Sequence, residues 1–322
     1  MSRARLSLVS ASLLIAACGS GGDSFTEAQS TTTTFNITSA DAVVAASLSW
    51  EAAMASGDFA DLGGALGLSS AMPGGFEIAT VALPPTGSLI NIVQQVPFGP
   101  DVYPCLSLGT VSISGDVEDP LTLTPGDTFR VVYELCDDGL GEVVNGMVDF
   151  TVRDFAGEIL AGTYLLSMEA VVTDLQVQTS TDTITSNGDA TVNLDTESAP
   201  AVAASVSGAS MTTDRNTSSE TVTNYFSSQT VDAGVVPAPY TMSAAGTLDS
   251  TQLGGIVRYS TVETFQGFDA DYPDSGVLLV EGETSSARLI AVDNVNVTIE
   301  LDSNGDGVTD ETFSLTWVEL TS

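Results

Sequence analysis

Most of the chain after Phe76 alternates apolar and polar residues with a period of two, the pattern of half-buried β-strands. Val148, Phe150 and Val152 alternate with polar residues, and so does the apolar set Phe129, Val131, Tyr133 and Leu135. The runs 164–178 and 182–196 are long enough for strands of ten or more residues. Gly, Pro, Asn and Asp separate the runs as turns. The pattern predicts a mainly β fold, with one large curved antiparallel sheet forming a barrel, a half-barrel or a sandwich.

Glycines lie within or at the start of several of these runs, where they commonly allow a bulge or kink that bends a sheet. They are Gly146, Gly188, Gly208, Gly246 and Gly282. Their spacing is irregular, so the chain is not a repeat protein.

One segment has helical periodicity instead, from Thr38 to Gly57. Thr38 and Asp41 are spaced as a capping box, and Gly57 is a typical helix end. The apolar face is expected to hold Val43, Val44, Leu48, Ala52 and Ala55. Residues 38–322 are therefore expected to form a single β-rich domain with an N-terminal helix at 38–57.

The first 17 residues are typical of a secretory signal. Arg3 and Arg5 precede an apolar run from Leu6 to Ala17, which is shorter than the roughly 20 residues that cross a bilayer. The run ends in Ile15-Ala16-Ala17-Cys18, which resembles the lipobox of bacterial lipoproteins. The resemblance implies cleavage before Cys18 and lipidation of its thiol. The alternative is an ordinary signal peptide followed by a cysteine of no special role.

Glycine follows the cysteine at position 19, where the inner-membrane retention signal of lipoproteins usually has Asp. The resemblance therefore implies a cell-envelope location in the outer membrane of a Gram-negative bacterium. Residues 18–37 carry mainly small and polar side chains, so they are expected to form a flexible tether behind the lipid anchor.

The charge is strongly negative. After Cys18 the chain has five arginines, no lysine and no histidine against 42 acidic residues, a net charge of −37. Such a field disfavours nucleic acid and anionic lipid headgroups as partners and suits cations or cationic surfaces. Solubility in a salty medium explains the same charge without any partner.

Two cysteines remain after lipidation, Cys105 and Cys136. In an oxidising envelope such a pair indicates a disulfide. Closing this loop would contribute roughly 3.5–4 kcal/mol by the chain-entropy model. A redox or metal-binding thiol pair is the alternative, but the chain has neither a CxxC motif nor a histidine.

An acidic turn near the C-terminus has the oxygen spacing of a calcium loop. Its candidate ligands are Asp302, Asn304, Asp306, the Val308 carbonyl and Asp310. Calcium prefers six to eight oxygen ligands, which alternating Asp and Asn residues on a tight turn supply. The turn lies between two predicted strands and is similar to the calcium loop of integrin β-propellers, with Asn304 replacing Asp. An Asx-rich turn that binds nothing is the alternative; a bound Ca2+ would have a structural role.

The region from Tyr272 to Leu320 also resembles the C-terminal region of uncharacterised lipoproteins from Gram-negative bacteria, a family that implies no activity. Without histidine or lysine the chain cannot build a Ser-His-Asp triad, a histidine zinc site or a P-loop, and it has no GxSxG motif.

We therefore expect a non-catalytic envelope lipoprotein that is structural or binds a lipid, glycan or protein ligand. One alternative is a carrier whose curved sheet and 38–57 helix enclose an apolar ligand. Another is a glycan-acting enzyme that uses two carboxylates, although only Trp50 and Trp317 could form indole platforms.

Overall fold

The computed structural model describes residues 34–65, 98–118, 123–137, 139, 142–158, 162–268 and 271–321. The predicted signal peptide, Cys18, most of the tether and the predicted β region at 76–97 lie outside these residues. None of the helices in the described ranges has the length and apolar character needed to cross a membrane.

Fourteen antiparallel strands form one sheet in which every strand pairs with its sequence neighbours. They are β1 Phe98–Pro104, β2 Leu108–Asp116, β3 Thr128–Asp137, β4 Val143–Glu158, β5 Thr163–Gln178, β6 Thr183–Asp195, β7 Ala201–Arg215, β8 Ser218–Asp232, β9 Pro239–Ser250, β10 Gly255–Phe268, β11 Ser275–Glu281, β12 Ser286–Ala291, β13 Asn296–Asp302 and β14 Glu311–Thr316. The sheet is curved but unclosed. The predicted mainly β class is confirmed, as an open sheet in place of a closed barrel.

Period-two alternation gives the sheet one buried face. Val148, Phe150 and Val152 on β4 are buried as predicted, and alternate residues of β6 are buried in the same way. Because every second side chain points to the same face, the alternating buried residues of these strands line one side of the sheet, although β7 and β11 also bury consecutive residues. These side chains form the core.

The helix, α1, spans Ala42–Ala65. At its start the Thr38 hydroxyl donates a hydrogen bond to Asp41 Oδ2 at 2.6 Å, so the two predicted capping residues contact each other. The prediction that Gly57 ends the helix is wrong. One glycine inside a helix costs only about 1 kcal/mol, and the strong helix formers Ala60 and Leu62 follow it.

The predicted apolar face of α1 is confirmed for Ala52 and only in part for Val43, Val44 and Leu48, which pack against the core, while the Ala55 side chain lies outside the described residues. The most buried residues are small, apart from one indole, and Val43, Val44 and Leu48 are only partly buried. The buried set is Ala42, Ala45, Ala46, Ser49, Trp50, Ala52 and Ala53. Small side chains allow the helix to approach the sheet closely, which a period count alone does not reveal.

The curved sheet wraps around α1, which contacts β6–β9 and β11–β13. Trp50 anchors the helix: its ring centroid lies 4.9 Å from that of Phe265 and 4.8 Å from that of Trp317. Trp317 begins a short C-terminal helix, α2 (Trp317–Leu320), whose Leu320 carbonyl accepts a hydrogen bond from Ser47. The helix therefore fills the concave face of the sheet along these seven strands.

Two of the glycines in the predicted strands lie against tyrosine side chains. A Cβ atom on Gly246 would lie 2.6 Å from the Tyr259 hydroxyl, and one on Gly208 would lie 2.3 Å from the Tyr225 hydroxyl. Each tyrosine therefore lies against a glycine of the neighbouring strand, an arrangement that stabilises a bent sheet.

The antiparallel order divides the turns between two rims of the sheet. The turns after β1, β3, β5, β7, β9, β11 and β13 lie at one rim, and those after the even-numbered strands lie at the other. The chain enters at the first rim, where Phe35 N–H donates to the Ile256 carbonyl at 3.1 Å and Glu283 N–H donates to the Phe35 carbonyl at 3.0 Å. We call this the N-terminal rim and the other the opposite rim.

Residues 34–37 are thus part of the folded domain, although the sequence placed them in the tether. Ile37 is fully buried, and its N–H donates to Ser285 Oγ at 2.7 Å. The small polar composition of residues 18–37 concealed two apolar side chains, Phe35 and Ile37, that hold this end against the sheet. The described fold therefore includes residues 34–37, ahead of the predicted start at Thr38.

Candidate functional site

The predicted disulfide is present at the N-terminal rim. Cys105 and Cys136 are bonded, with Cα atoms 5.4 Å apart, and Cys136 is fully buried. The bond joins the turn after β1 to the last residues of β3. It therefore fixes the geometry of this corner of the sheet.

Three leucines beside the disulfide are exposed. Leu106 is 82 % exposed, Leu108 is 61 % exposed and Leu135 is 56 % exposed. The alternation had placed Leu135 on the buried face with Tyr133, and that prediction is wrong. A β-bulge between Tyr133 and Cys136 turns Leu135 outward and gives the buried position to Cys136.

Leu135 has an unusual backbone conformation for a leucine, with φ of 50°. Its N–H donates to Asn145 Oδ1 at 2.8 Å instead of to a ladder carbonyl. The neighbouring Gly109 leaves the necessary room, because a Cβ atom there would lie 2.0 Å from the Leu135 carbonyl oxygen. The bulge is therefore built from a glycine, an asparagine and a leucine in the left-handed region.

The acidic turn between β13 and β14 is closed by its own side chains. Asp302 Oδ1 accepts from Gly305 N–H at 2.7 Å, and Asp302 Oδ2 accepts from Gly307 N–H at 2.8 Å. Desolvation raises the pKa of Asp302, but the backbone donors together outweigh it and hold that pKa below its ordinary value. The carboxylate is therefore the charged centre of a preformed turn.

The other predicted ligands follow the same pattern. Asn304 Oδ1 accepts from Asp306 N–H at 3.0 Å, Asp306 Oδ1 accepts from Val308 N–H at 2.9 Å, and Asp310 Oδ2 accepts from Ser303 Oγ at 2.6 Å. The donor set suits calcium because it contains only oxygen atoms. However, no three His, Cys, Asp or Glu side chains among the described residues are grouped to hold a metal. Binding would require the carboxylates to turn inward, so calcium stays a prediction.

A partly buried charge cluster links α1 to the sheet, and it was not predicted from the sequence. Arg215 is the last residue of β7, and its Nη2 atom lies 3.9 Å from the Oε2 atom of Glu51 on α1. Glu220 on β8 is only 2 % exposed, and its Oε1 atom has no hydrogen-bond partner. Burial raises the pKa of Glu51, and the nearby positive charge of Arg215 lowers it by a smaller amount. Burial is also the main cause of the raised pKa of Glu220. The cluster carries more negative than positive charge.

A cleft of about 380 Å³ lies near the opposite rim, across β4–β8. Register places its polar side chains on the outward face, in two rows that cross neighbouring strands. These residues include Asp154, Ser167, Asn193, Asp195, Ser205 and Thr230. Leu165, which is partly exposed, adds an apolar surface. Among the described residues no arginine lines the cleft, and the chain has no lysine.

Sequence reasoning missed the cleft because its residues come from five strands and meet only through register. A cue existed for the charge cluster, since Arg215 shares a face with the buried Met211 and Thr213. Of the predicted site residues, the two cysteines are bonded to each other, the five loop residues share one turn without their carboxylates being grouped for a metal, and Cys18 lies outside the described residues. In comparisons with known proteins, the chain matches no family model, and no curated protein or solved structure matches it.

Proposed function

We propose that this chain is a non-catalytic envelope lipoprotein, anchored through Cys18 in the outer membrane, that binds a polar ligand in the cleft across β4–β8. The anchor is inferred from the lipobox-like segment and the signal-like residues before it. The binding role is inferred from the position and chemistry of the cleft.

The observation that carries the proposal is the separation of the cleft from the point where the chain enters the fold. Residue 34 enters at the N-terminal rim, whereas the cleft lies near the opposite rim. The segment between Cys18 and Thr34 would span about 20–25 Å on average as a flexible chain. A lipid on Cys18 would keep the N-terminal rim near the membrane and leave the cleft facing away from it.

The lining of the cleft favours a neutral or cationic polar ligand, and a glycan suits it best. Asp154 and Asp195 accept hydrogen bonds from hydroxyl or ammonium groups, and Asn193 both donates and accepts. Leu165 can contact the apolar face of a sugar ring. Anionic ligands are disfavoured, because the described lining of the cleft contains carboxylates and no arginine.

Calcium would stabilise the domain at the N-terminal rim. The turn from Asp302 to Asp310 adjoins the point where the chain enters, since Gly305 packs against the Thr284 carbonyl and Thr284 N–H donates to Asn36 Oδ1 at 2.8 Å. An ion in this turn would hold the β13–β14 hairpin against the first folded residues. Its role would be structural.

The two alternatives have less support. An apolar-ligand carrier would need the concave face, where α1 and its Trp50 anchor are packed. A carboxylate-based glycan-acting enzyme would use the same cleft, where Asp154 and Asp195 both line the surface. Turnover of a bound glycan would distinguish that enzyme from a binding protein.

The test is calorimetric titration of the intact protein with soluble oligosaccharides of the bacterial envelope. We expect saturable binding that Asp195→Asn weakens at least tenfold. Asp249→Asn is the matched control, because it makes the same change at an exposed position of β9 toward the N-terminal rim. No binding by any oligosaccharide, or equal loss in both variants, would contradict the glycan proposal, and hydrolysis would favour the enzyme.

A further inference from the structure

A patch of exposed apolar residues surrounds the disulfide at the N-terminal rim. It consists of Leu106, Leu108 and Leu135, together with Val102 on β1, and we call it the leucine corner. All four side chains are more than half exposed. Single exposed leucines are common on protein surfaces, but a cluster of this kind marks an interaction site.

The backbone at Leu135 sets this cluster apart. Two other described residues besides glycine have positive φ, Asp174 at 47° and Asn224 at 48°. The Asp174 bulge has the same construction as the Leu135 bulge, since Asp174 N–H donates to Asn187 Oδ1 at 2.6 Å. Asp and Asn tolerate the left-handed region, whereas a leucine there is an outlier.

The fold therefore gains nothing from leucine at position 135. Asparagine, aspartate or glycine would suit the backbone better, and the side chain points into solvent, so it adds little to the core. A residue that is unfavourable for folding and exposed indicates a role outside folding.

The leucine corner is also held rigid. Cys105 precedes Leu106 and Cys136 follows Leu135, so the disulfide fixes both. Ser107 N–H donates to the Asp137 carbonyl at 3.1 Å across the turn. A preorganised apolar surface loses little side-chain and loop entropy when it binds.

Its position identifies the partner. The leucine corner lies in the turn after β1 and at the end of β3, on the same rim at which Thr34 pairs with Ile256 of β10, seven strands farther along the sheet. Only the short segment after Cys18 separates that entry point from the lipid. We propose that the leucine corner rests on the surface of the bilayer and inserts its leucines among the headgroups. This inference rests on the proposed lipid anchor.

The charges around the leucine corner determine which lipid composition it binds best. Asp101, Glu134 and Asp137 lie beside the leucines on the same strands, and the whole chain is strongly acidic. The apolar side chains supply the attraction, and the carboxylates oppose anionic lipid. Binding is expected to be stronger on zwitterionic vesicles of phosphatidylethanolamine and phosphatidylcholine than on vesicles that also contain phosphatidylglycerol.

The test separates the contact from the anchor. The full lipoprotein, with a protease site inserted in residues 24–30, is reconstituted into the zwitterionic vesicles, and the tether is cut before flotation. We expect part of the wild-type domain to remain with the vesicles. The double variant Leu106→Ser, Leu135→Asn should lower the partition coefficient by roughly tenfold or more.

Val235→Ser, Val236→Ser is the matched control. These valines lie in the turn after β8, at the opposite rim, and Val236 is 94 % exposed. The control should remain bound like the wild type, and the melting temperatures should show that both variants fold.

Equal retention of the wild type and the leucine variant, or equal loss in the control, would overturn the proposal. Self-association of the cut domain without vesicles would also overturn it, in favour of a second copy as the partner. Failure of the uncut protein to float would refute the anchor itself.

Discussion

Replacing Leu135 by asparagine is expected to stabilise the protein, although the change removes a large apolar side chain. The left-handed conformation at φ of 50° costs an L-residue other than glycine, asparagine or aspartate about 1–2 kcal/mol. Asparagine recovers most of that cost, and the Leu135 side chain is 56 % exposed, so little packing is lost. We expect Leu135→Asn to raise the free energy of unfolding by about 1 kcal/mol and the melting temperature by about 2–4 °C.

Leu108→Asn is the matched control, because Leu108 is similarly exposed but lies in β2 outside the left-handed region. Asparagine has a low β propensity, so this variant should be neutral or lose about 0.5 kcal/mol. Urea unfolding at equilibrium, followed by circular dichroism, measures both. If Leu135→Asn is no more stable than Leu108→Asn, Leu135 supports the fold and is not kept for an interaction.

Three further changes test other parts of the structure. The buried Glu220 has a pKa raised chiefly by desolvation, so the Glu220 carboxylate binds a proton more tightly in the folded chain than in the unfolded chain, and the stability due to Glu220 should be greater at about pH 5 than at about pH 8. Glu220→Gln should therefore raise the melting temperature at pH 8 and flatten this dependence, whereas a loss at both pH values would show that its attraction to Arg215 dominates. Replacing Cys105 and Cys136 by serine should lower the free energy of unfolding by roughly 3.5–4 kcal/mol, measured by urea unfolding; a loss below about 1 kcal/mol would contradict the role of the disulfide. A calcium chelator should lower the melting temperature of the wild type but not of Asp306→Ala, and an unchanged wild type would refute calcium binding.

The strands could be predicted because period-two alternation reports burial on one face directly. Val148, Phe150 and Val152 are buried as their spacing predicts. The same logic failed at Leu135, where a bulge adds one residue and reverses the faces. The bulge depends on Asn145 and Gly109, which belong to neighbouring strands, so a single run of residues does not reveal it.

The helix was located correctly, but its end was not, and its buried face was predicted only in part. Gly57 has the low helix propensity of a terminator, yet α1 continues to Ala65, because one glycine costs less than the residues around it supply. Its closest contacts with the sheet use alanines and Ser49, which carry little hydrophobic signal. Tertiary packing, which a sequence window does not contain, decides both features.

Some of the candidate sites could likewise be predicted from the sequence, and others could not. Cys105 and Cys136 could be paired from the sequence because they are the two cysteines besides Cys18, the predicted lipidation site, and the acidic turn could be recognised because its residues are contiguous. The cleft of Asp154, Asn193 and Asp195 needs the register of five strands, and the Glu51–Arg215 contact joins a helix to a strand about 160 residues away.

The lipid anchor is the central claim, and the most direct test is the mass of the N-terminal peptide of the mature protein. The protein is expressed with its own first 17 residues in a Gram-negative host, extracted from the outer-membrane fraction and digested. We predict a peptide that begins at Cys18 and carries a diacylglycerol on the thiol and a third acyl chain on the amino group. An unmodified Cys18, or a mature protein that begins at another residue in the soluble fraction, would contradict the account.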